Sequence, residues 1–250
     1  MQKTVFITGG STGIGNACVR KFHACGWDVA FMDVNADAGM KTAEELGNVL
    51  FLSGDTRSKA DLETAVARTV EAFGGIDGIV ANAGIHRCNT LLDISDEELD
   101  MMIDVNIQGT VNTLRAAVPC LKRGGSVVIN ASDQCYVGKP NSFGYGLTKG
   151  AIGQIARSLA IDLGPRGIRV NAVCAGTIRT PLTESLFQKF ADITHGGSVD
   201  AYWQAEAEQY PLGRVGEASE VAELVFFLAS DAASFMTGGL YLADGGLVAK

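Results

Sequence analysis

The sequence predicts a doubly wound α/β fold, in which helices cover both faces of a parallel sheet of seven strands. Seven short apolar runs are spread over the 250 residues, and the stretches between them have helical spacing. The runs are continuous rather than alternating, which is typical of strands buried on both faces. Strand and helix alternate nearly to the end of the chain, and this order requires crossover connections and a parallel sheet.

The elements follow one another without interruption. The predicted strands are KTVFI (3–7), DVAFM (28–32), NVLFL (48–52), GIVA (78–81), SVVIN (126–130), RVNAV (169–173) and LYLA (240–243). Helical spacing covers, among others, 14–25, 59–73, 96–121, 145–163 and 218–228. There is no linker, low-complexity segment or internal repeat, so we expect a single domain over residues 1–250.

Residues 181–215 break the alternation because they contain no convincing strand. We predict one or two short helices there, with a break at Gly196 and Gly197. A long excursion after a late strand lies at the carboxyl side of the sheet, where it would cover a ligand. The segment is therefore predicted to be a substrate lid, with a surface excursion or a subunit contact as the alternative.

Composition excludes several classes of function. The net charge is −8 and the pI is about 4.9, which argues against nucleic acid or an acidic membrane as a partner. No apolar run reaches about 18 residues, and no signal-like segment opens the chain, so we expect a cytoplasmic protein. Six cysteines without a CxxC pair, and only three histidines, give no reason to expect a metal site.

The stretch TGGSTGIG (8–15) follows the first strand and opens a helix. A helix N-terminus carries unpaired N–H groups and a partial positive charge, which together attract phosphate. Gly9 would permit a tight turn, Gly13 a close approach to a pyrophosphate, and Gly15 close packing of helix on strand. The spacing is not G-x-G-x-x-G, and the P-loop lysine is missing. A Rossmann-type dinucleotide site is the functional interpretation, and a purely structural glycine turn is the alternative.

The end of the second strand bears on the choice of dinucleotide. Asp33 lies eighteen residues after Gly15, where a carboxylate can accept both hydroxyls of an adenosine ribose. The same carboxylate would repel a 2′-phosphate, and neither Arg nor Lys occurs between Asp33 and Lys41. We therefore expect NAD rather than NADP, the alternative being a helix N-cap or a polar strand end.

The densest group of reactive side chains lies in residues 130–150. Tyr145 and Lys149 are four residues apart and would share one helix face. A free tyrosine has a pKa of about 10, and a nearby ammonium should lower that pKa enough for acid–base work. Ser132, thirteen residues before Tyr145 at a strand end, could hold the substrate oxygen by a hydrogen bond.

These motifs, in this order, resemble the classical branch of the short-chain dehydrogenase/reductase family over essentially the whole chain. The resemblance also includes NAG (82–84), Asn106 in DVNIQG, RVNAVCAGTIRTP (169–181) and LADGG (242–246). It implies that Tyr145 is the general acid/base, that Lys149 binds the nicotinamide ribose, and that Ser132 orients the substrate. Asn106 would hold a water that links Lys149 to solvent. One departure is Ala175 before Gly176, where the family usually has proline, and this difference predicts a less rigid loop.

The resemblance further implies a set of residues that contact the dinucleotide. They are Gly9, Ser11, Thr12, Gly13, Ile14, Gly15, Asp33, Asp55, Thr56, Asn82, Ala83, Gly84, Tyr145, Lys149, Gly176, Ile178 and Thr180. Asp55 matches a position that commonly contacts adenine. The resemblance also implies a homotetramer, built through residues 96–121 and 145–163 and the C-terminal strand.

The substrate is only weakly marked in the sequence. Candidate contacts are His86 after NAG, Gln134 and Cys135 after the serine, and Phe187, Trp203 and His195 in the lid. Residues of these types in such positions are more often ordinary loop or wall residues, which is the alternative. We expect a secondary alcohol or ketone of modest size, oxidised or reduced with NAD. Two alternatives stay open: an NADPH-dependent reductase of 3-oxoacyl thioesters, and a dinucleotide-binding sensor without activity.

Overall fold

A computed structural model describes residues 2–194 and 197–250, with residues 192–194 described by their backbone alone. His195 and Gly196, which the sequence places in the lid, lie outside the described residues. The main sheet contains β1 (Thr4–Thr8), β2 (Asp28–Asp33), β3 (Val49–Ser53), β4 (Ile76–Ala81), β5 (Leu121–Asn130), β6 (Arg169–Ala175) and β9 (Leu240–Ala243). Two short strands, β7 (Ile178–Arg179) and β8 (Gly216–Glu217), pair separately.

The seven strands are all parallel and lie in the order β3-β2-β1-β4-β5-β6-β9. The predicted fold class, a Rossmann-type doubly wound sheet, is confirmed. The order reverses between β1 and β4, and ligands of such sheets bind in the crevice outside the carboxyl ends at this point. Thr8 and Ala81 are the last residues of the two strands, so the expected crevice starts beside the glycine-rich stretch.

The helices are α1 (Gly13–Ala24), α2 (Ala36–Leu46), α3 (Lys59–Phe73), α4 (Asp96–Met102), α5 (Gly109–Ala117), α6 (Phe143–Leu163), α7 (Pro181–Thr194), α8 (Val199–Ala207) and α9 (Ala218–Ala229). The predicted helix over 96–121 is continuous but not uniform. A π-helical turn, Ile103–Gln108, joins α4 to α5, and Leu121 already begins β5.

Two apolar cores lie on opposite faces of the sheet. Helices α3, α5 and α6 cover one face through side chains such as Leu62, Leu114 and Ile152. Helices α1 and α9 cover the other, where Phe22 and Val225 are fully or almost fully buried. Because both faces are covered, strand residues of either parity are buried, which explains the continuous apolar runs.

The region of the predicted lid has a separate small core. Within 181–215, the described residues form α7 and α8, and no strand is found among them. The side chains that pack together there are Leu186, Phe187, Phe190, Trp203, Tyr210 and Val215. This cluster is not part of either sheet core, and Cys88 and Leu247 pack against it from outside 181–215.

Candidate active site

A cleft of about 570 Å³ opens at the carboxyl ends of the central strands. All the residues predicted to contact a dinucleotide line it except Ser11 and Gly15: Gly9, Thr12, Gly13, Ile14, Asp33, Asp55, Thr56, Asn82, Ala83, Gly84, Tyr145, Lys149, Gly176, Ile178 and Thr180. The fold thus brings together residues that are up to 171 positions apart. The cleft lies at the point where the strand order reverses.

The glycine-rich turn is held by its backbone. Gly9 has φ +68°, and a Cβ there would lie 2.8 Å from the Ala83 Cα. At Gly15 a Cβ would lie 1.9 Å from the carbonyl oxygen of Gly9, so no side chain fits. The Asn82 amide donates to that same carbonyl at 2.9 Å. Gly15 therefore supports the turn from behind instead of facing the cleft.

The first turn of α1 leaves its N–H groups available. Thr12 is the N-cap residue, but its side chain makes no capping hydrogen bond, and the first turn contains no acidic residue. Unpaired N–H groups at a helix N-terminus bind anions, and phosphate in particular. This end of the cleft is consequently suited to a pyrophosphate.

Asp33 is fixed at the edge of the cleft by two backbone donors. Its Oδ2 accepts the Ser11 N–H at 2.9 Å, and its Oδ1 accepts the Asn35 N–H at 2.9 Å. Ser11 therefore orients the carboxylate and does not itself line the cleft. Nearby, Arg57 binds the Asp55 carboxylate at 2.6 Å, and this pair holds the pKa of Asp55 below its usual value.

Two of the predicted catalytic side chains, Tyr145 and Lys149, line the other end of the cleft, and Ser132 lies beside Tyr145 without lining the cleft itself. Ser132 follows β5, and Tyr145 and Lys149 lie one turn apart in α6. The Lys149 Nζ lies 5.5 Å from the centre of the Tyr145 ring and donates to the Asn130 carbonyl at 2.7 Å. Burial lowers the pKa of Lys149 to about 8.

The expectation of a lowered tyrosine pKa is wrong for this structure. Burial raises the pKa of Tyr145 well above its usual value, the Asp133 carboxylate raises it further, and a hydrogen bond with Ser132 acts in the opposite direction. The physical reason is that the phenolate loses its hydration when the ring is buried, and this loss outweighs the favourable Ser132 hydrogen bond. As described, Tyr145 is a protonated acid.

Asn106 lies in the π-helical turn, and its buried side chain bridges two elements. Its Oδ1 accepts the Ile85 N–H at 2.8 Å, and its Nδ2 donates to the Ile85 carbonyl at 2.9 Å and to the Thr148 hydroxyl at 3.0 Å. Asn106 thereby fastens the loop after β4 to the helix that carries Tyr145. Single π-helical turns often occur at functional sites.

Of the predicted substrate contacts, His86 is the one that reaches a catalytic side chain. Its ring stacks on Tyr145 with centroids 4.0 Å apart, and its Nε2 lies 3.0 Å from the Ser142 hydroxyl. Burial, together with the positive charges of Lys139, Lys149 and Arg87, lowers the pKa of His86 to about 4. His86 is therefore neutral near pH 7.

None of the five described candidates, His86, Gln134, Cys135, Phe187 and Trp203, is among the residues that line the cleft. The Gln134 amide donates to the Ser142 hydroxyl, and the Cys135 thiol donates to the Lys149 carbonyl at 3.1 Å. Both side chains support α6 from outside the cleft. Phe187 and Trp203 face each other in the lid core, with ring centroids 4.2 Å apart. Their apolar surface is used to build the lid.

Sequence reasoning missed several residues of this site. Asn130 donates to the Asn82 side chain at 2.8 Å and accepts from Lys149, so it connects the glycine turn to the catalytic end. Leu182 and Thr183, at the start of α7, line the cleft directly. Asn130 stands two residues before Ser132 in NAS. Its position at a strand end, next to the predicted catalytic serine, could have indicated that it belongs to the site.

The described residues contain neither a metal-binding cluster nor a helix that could span a membrane. Among residues 2–194 and 197–250, no group of three or more His, Cys, Asp or Glu side chains could hold a metal ion. None of the helices described is both long and apolar enough to cross a membrane.

Comparison with known proteins gives the family. Residues 9–248 match the family described as enoyl-(acyl carrier protein) reductase. The chain is 37% identical to the oxidoreductase UcpA of Salmonella typhimurium, over 98% of this chain and 94% of that protein. It is 36% identical to L-fucose dehydrogenase of Mus musculus, over 98% and 88% of the two chains. A crystal structure of a short-chain dehydrogenase family protein from Francisella tularensis has a TM-score of 0.89 and 37% identity, with both chains fully covered. The chain belongs to the short-chain dehydrogenase/reductase family of oxidoreductases.

Proposed function

We propose that the protein transfers a hydride between NAD(H) and a secondary alcohol or ketone, with Tyr145 as general acid/base. The observation that carries this proposal is that Tyr145 and Lys149 line one end of the cleft, with Ser132 hydrogen-bonded to Tyr145. The other end begins at the open N-terminus of α1. A dinucleotide laid along the cleft would have its pyrophosphate at α1 and its nicotinamide beside Tyr145.

The residues present fit such a cofactor. The turn at Gly9 and Gly13 has backbone in place of side chains, and the Thr12 side chain does not occupy the N–H groups of α1. At the adenosine end, the oriented Asp33 carboxylate can accept ribose hydroxyls and would repel a 2′-phosphate. Arg57, which also lines the cleft, is already paired with Asp55. These contacts favour NAD over NADP.

The protein's own residues supply position and the proton. A bound oxidised dinucleotide would supply the hydride acceptor and a positive charge that favours a phenolate at Tyr145. Lys149 would hold the nicotinamide ribose and places its own charge beside the Tyr145 ring. Ser132 lies against the Tyr145 oxygen and orients the substrate oxygen there. Asn106 maintains this geometry by joining the loop after β4 to α6, and we assign it to the proton path from Lys149 to solvent.

We infer a polyhydroxylated or cyclic secondary alcohol as the substrate. L-fucose dehydrogenase, a relative of similar length, acts by its name on a sugar. The catalytic end contains neutral hydrogen-bonding groups, including His86 and Ser142, which suit a neutral polar substrate. Leu182 at the start of α7 supplies an apolar wall.

The test is oxidation of secondary alcohols, followed at 340 nm with NAD⁺ and with NADP⁺. Sugars, polyols and cyclic alcohols should give turnover with NAD⁺. Tyr145→Phe should lower kcat by about 10²- to 10⁴-fold, because it removes the acid/base group, while NADH binding stays near that of the wild type. Turnover that survives in Tyr145→Phe would contradict the assignment of Tyr145. Tight NADH binding without turnover on any alcohol would favour the sensor.

We also propose that the protein is a homotetramer. Helices α5 and α6 form an apolar groove of about 630 Å³ on the surface, lined by Val111, Val118, Ile155 and Leu159 among others. Ile161, 79% exposed, continues this apolar surface along α6. A second copy would bury these side chains. Light scattering should give about four times 26.2 kDa, and Ile155→Glu should reduce the mass. A wild-type monomer would contradict the proposal.

A further inference from the structure

The hydrogen bonds of Ser132 have an unusual direction for a residue that is to hold a substrate oxygen. Its hydroxyl donates to the Asp133 Oδ1 at 2.9 Å and accepts from the Gln134 N–H at 3.2 Å. The Tyr145 hydroxyl is a further neighbour. A serine hydroxyl has a single hydrogen, and here Asp133 binds it. In this arrangement Ser132 can accept a hydrogen bond from the reacting groups, and it can donate one to a Tyr145 phenolate only after its hydrogen has left Asp133.

Asp133 in turn depends on a lysine. The carboxylate is 1% exposed, and its Oδ2 lies 2.8 Å from the Lys139 Nζ. A buried carboxylate without a partner would be costly, and the Lys139 ammonium supplies the compensating charge. Burial lowers the pKa of Lys139, but the Asp133 carboxylate outweighs this effect and leaves the pKa raised. Lys139 is therefore a cation near pH 7.

The lid holds Lys139 from the other side. The Lys139 ammonium donates to the Tyr210 hydroxyl at 3.4 Å, and that hydroxyl accepts the Thr177 N–H at 2.9 Å and donates to the Glu206 carboxylate at 3.3 Å. A chain of hydrogen bonds thus runs from α8 through Lys139 and Asp133 to Ser132. The strength of the hydrogen bond from Ser132 to Asp133 depends on how far the Lys139 ammonium neutralises the Asp133 carboxylate.

We propose that Asp133 and Lys139 are positioning residues that control the direction of the Ser132 hydrogen, Asp133 by binding it and Lys139 by sharing the charge of Asp133. The inference rests on the proposed function. When negative charge forms on Tyr145 or on the substrate oxygen, the Ser132 hydrogen turns towards it. Asp133 loses the hydrogen bond from Ser132 in this rotation, but the Lys139 ammonium still stabilises its negative charge. The free-energy cost of the rotation is therefore small.

The charges around Tyr145 decide the sign of the expected effects. Tyr145 faces Lys149 on its own helix, and it faces His86, which is neutral, on the loop after β4. From the segment after β5 it faces Asp133 and Cys135, and the Asp133 charge raises the pKa of Tyr145. The groups that face Asp133 and its lysine are Ser132, Lys139, Tyr210 and, beyond Tyr210, Glu206.

Opposite shifts are therefore expected for the two partners. Alcohol oxidation requires the Tyr145 phenolate, so kcat/KM should rise with pH through the pKa of that group. Asp133→Asn removes a negative charge and should move the midpoint down by about one pH unit. Lys139→Met leaves Asp133 uncompensated and should move it up by about one unit. Asp133→Asn/Lys139→Met should return the midpoint to near that of the wild type, and Lys139→Arg should leave it there.

A merely structural role would give a different pattern. Lower kcat without movement of the midpoint in either single variant would overturn the proposal, and so would shifts in the same direction or a double variant without rescue. The near-ultraviolet circular dichroism of each variant shows whether it is folded. The double variant, which keeps the shapes and removes both charges, remains informative if Lys139→Met alone unfolds.

A second readout separates this inference from the proposed function. Carbon-13 labelling of the five tyrosines, with Tyr145→Phe to assign one resonance, follows the ionisation of Tyr145 by NMR in the protein alone and with NAD⁺. Opposite shifts of that resonance in the two single variants would support the pair even if no alcohol were oxidised. An unmoved resonance in both variants would overturn it, whatever the activity.

Discussion

The two ends of the cleft are built in different ways. The dinucleotide end is made of backbone: Gly9 has φ +68°, and the Asn82 amide holds its carbonyl. The lid end is made of side-chain packing, with Phe187 and Trp203 in a cluster that belongs to neither face of the sheet. The first kind of structure requires particular residue types at fixed spacings. The second requires only that apolar side chains meet, and many sequences achieve that.

The two tryptophans make this difference measurable, because they are buried almost equally. Trp27 is 8% exposed and packs on Phe22 in the core between α1, α9 and the sheet, whereas Trp203 is 9% exposed and lies in the lid cluster. Trp27→Ala should lower the free energy of unfolding by about 4 kcal/mol, measured with urea and circular dichroism. Trp203→Ala should instead raise the KM for the alcohol, with a smaller loss of global stability and little change in NADH binding, because it loosens the lid.

The single-tryptophan variants Trp27→Phe and Trp203→Phe provide the control. The fluorescence of the remaining tryptophan then reports one region only. We expect the Trp203 signal to change at a lower urea concentration than the Trp27 signal. Coincident transitions, with equal losses of stability in the two alanine variants, would show that lid and sheet unfold as one unit and would remove the contrast.

The backbone end is tested most directly at Gly15. Gly15→Ala places a Cβ 1.9 Å from the Gly9 carbonyl oxygen, so the turn has to move. We expect a loss of about 3 kcal/mol in the free energy of unfolding and a large loss of NADH affinity, measured by urea titration and fluorescence quenching. Gly150→Ala is the matched control, since nothing lies within 4 Å of a Cβ at that exposed helical position. It should stabilise α6 by about 0.5–1 kcal/mol. Similar behaviour of the two variants would show that the close approach at Gly15 is not what holds the turn.

The same contrast between the two ends of the cleft explains which site residues could be predicted from the sequence. Gly9, Gly13 and Asp33 were identifiable because the backbone conformation, the open helix end and the strand-end position each restrict the residue type. The i, i+4 spacing likewise predicted that Tyr145 and Lys149 share one face of a helix, and both lie in α6.

The substrate end was harder to predict because its roles depend on tertiary contacts. Phe187 and Trp203 have the composition of a substrate wall, yet their surfaces are buried against each other. The role of Asp133 could not be deduced either. It depends on Lys139, six residues later, and on Tyr210 in the lid, and the spacing of the three residues follows no regular period.

The burial of Lys149 at the catalytic end should make the free energy of unfolding depend on pH. Lys149 has a pKa of about 8 in the folded protein, against about 10.4 in an unfolded chain. Between these values the unfolded state binds more protons at this group, so the contribution of Lys149 to stability should rise with pH across this window. Relative to Lys149→Met, which lacks the titrating group, the gain should be about 2 kcal/mol between pH 7.5 and 10. Urea titrations of both proteins at the two pH values measure it. A constant difference would mean that Lys149 is charged in the folded state throughout the range.

The smallest expected effect concerns the adenosine end. Asp33→Ala removes the acceptor for the ribose hydroxyls and frees the Ser11 and Asn35 N–H groups. We expect NADH affinity to fall about tenfold, which corresponds to about 1.4 kcal/mol, because hydrogen bonds to a charged group contribute about that much. NADPH affinity should rise, since the repulsion of the 2′-phosphate disappears. Both affinities can be measured by titration calorimetry.

Asp37→Ala is the control for charge alone, because Asp37 is exposed in the first turn of α2 and does not line the cleft. Its removal changes the net charge by the same amount, so a general electrostatic effect would alter NADPH binding equally in the two variants. A change confined to Asp33→Ala would place the discrimination in the carboxylate that Ser11 orients. A wild type that binds NADPH more tightly than NADH would contradict the choice of cofactor. It would mean that Arg57 leaves Asp55 to bind the 2′-phosphate.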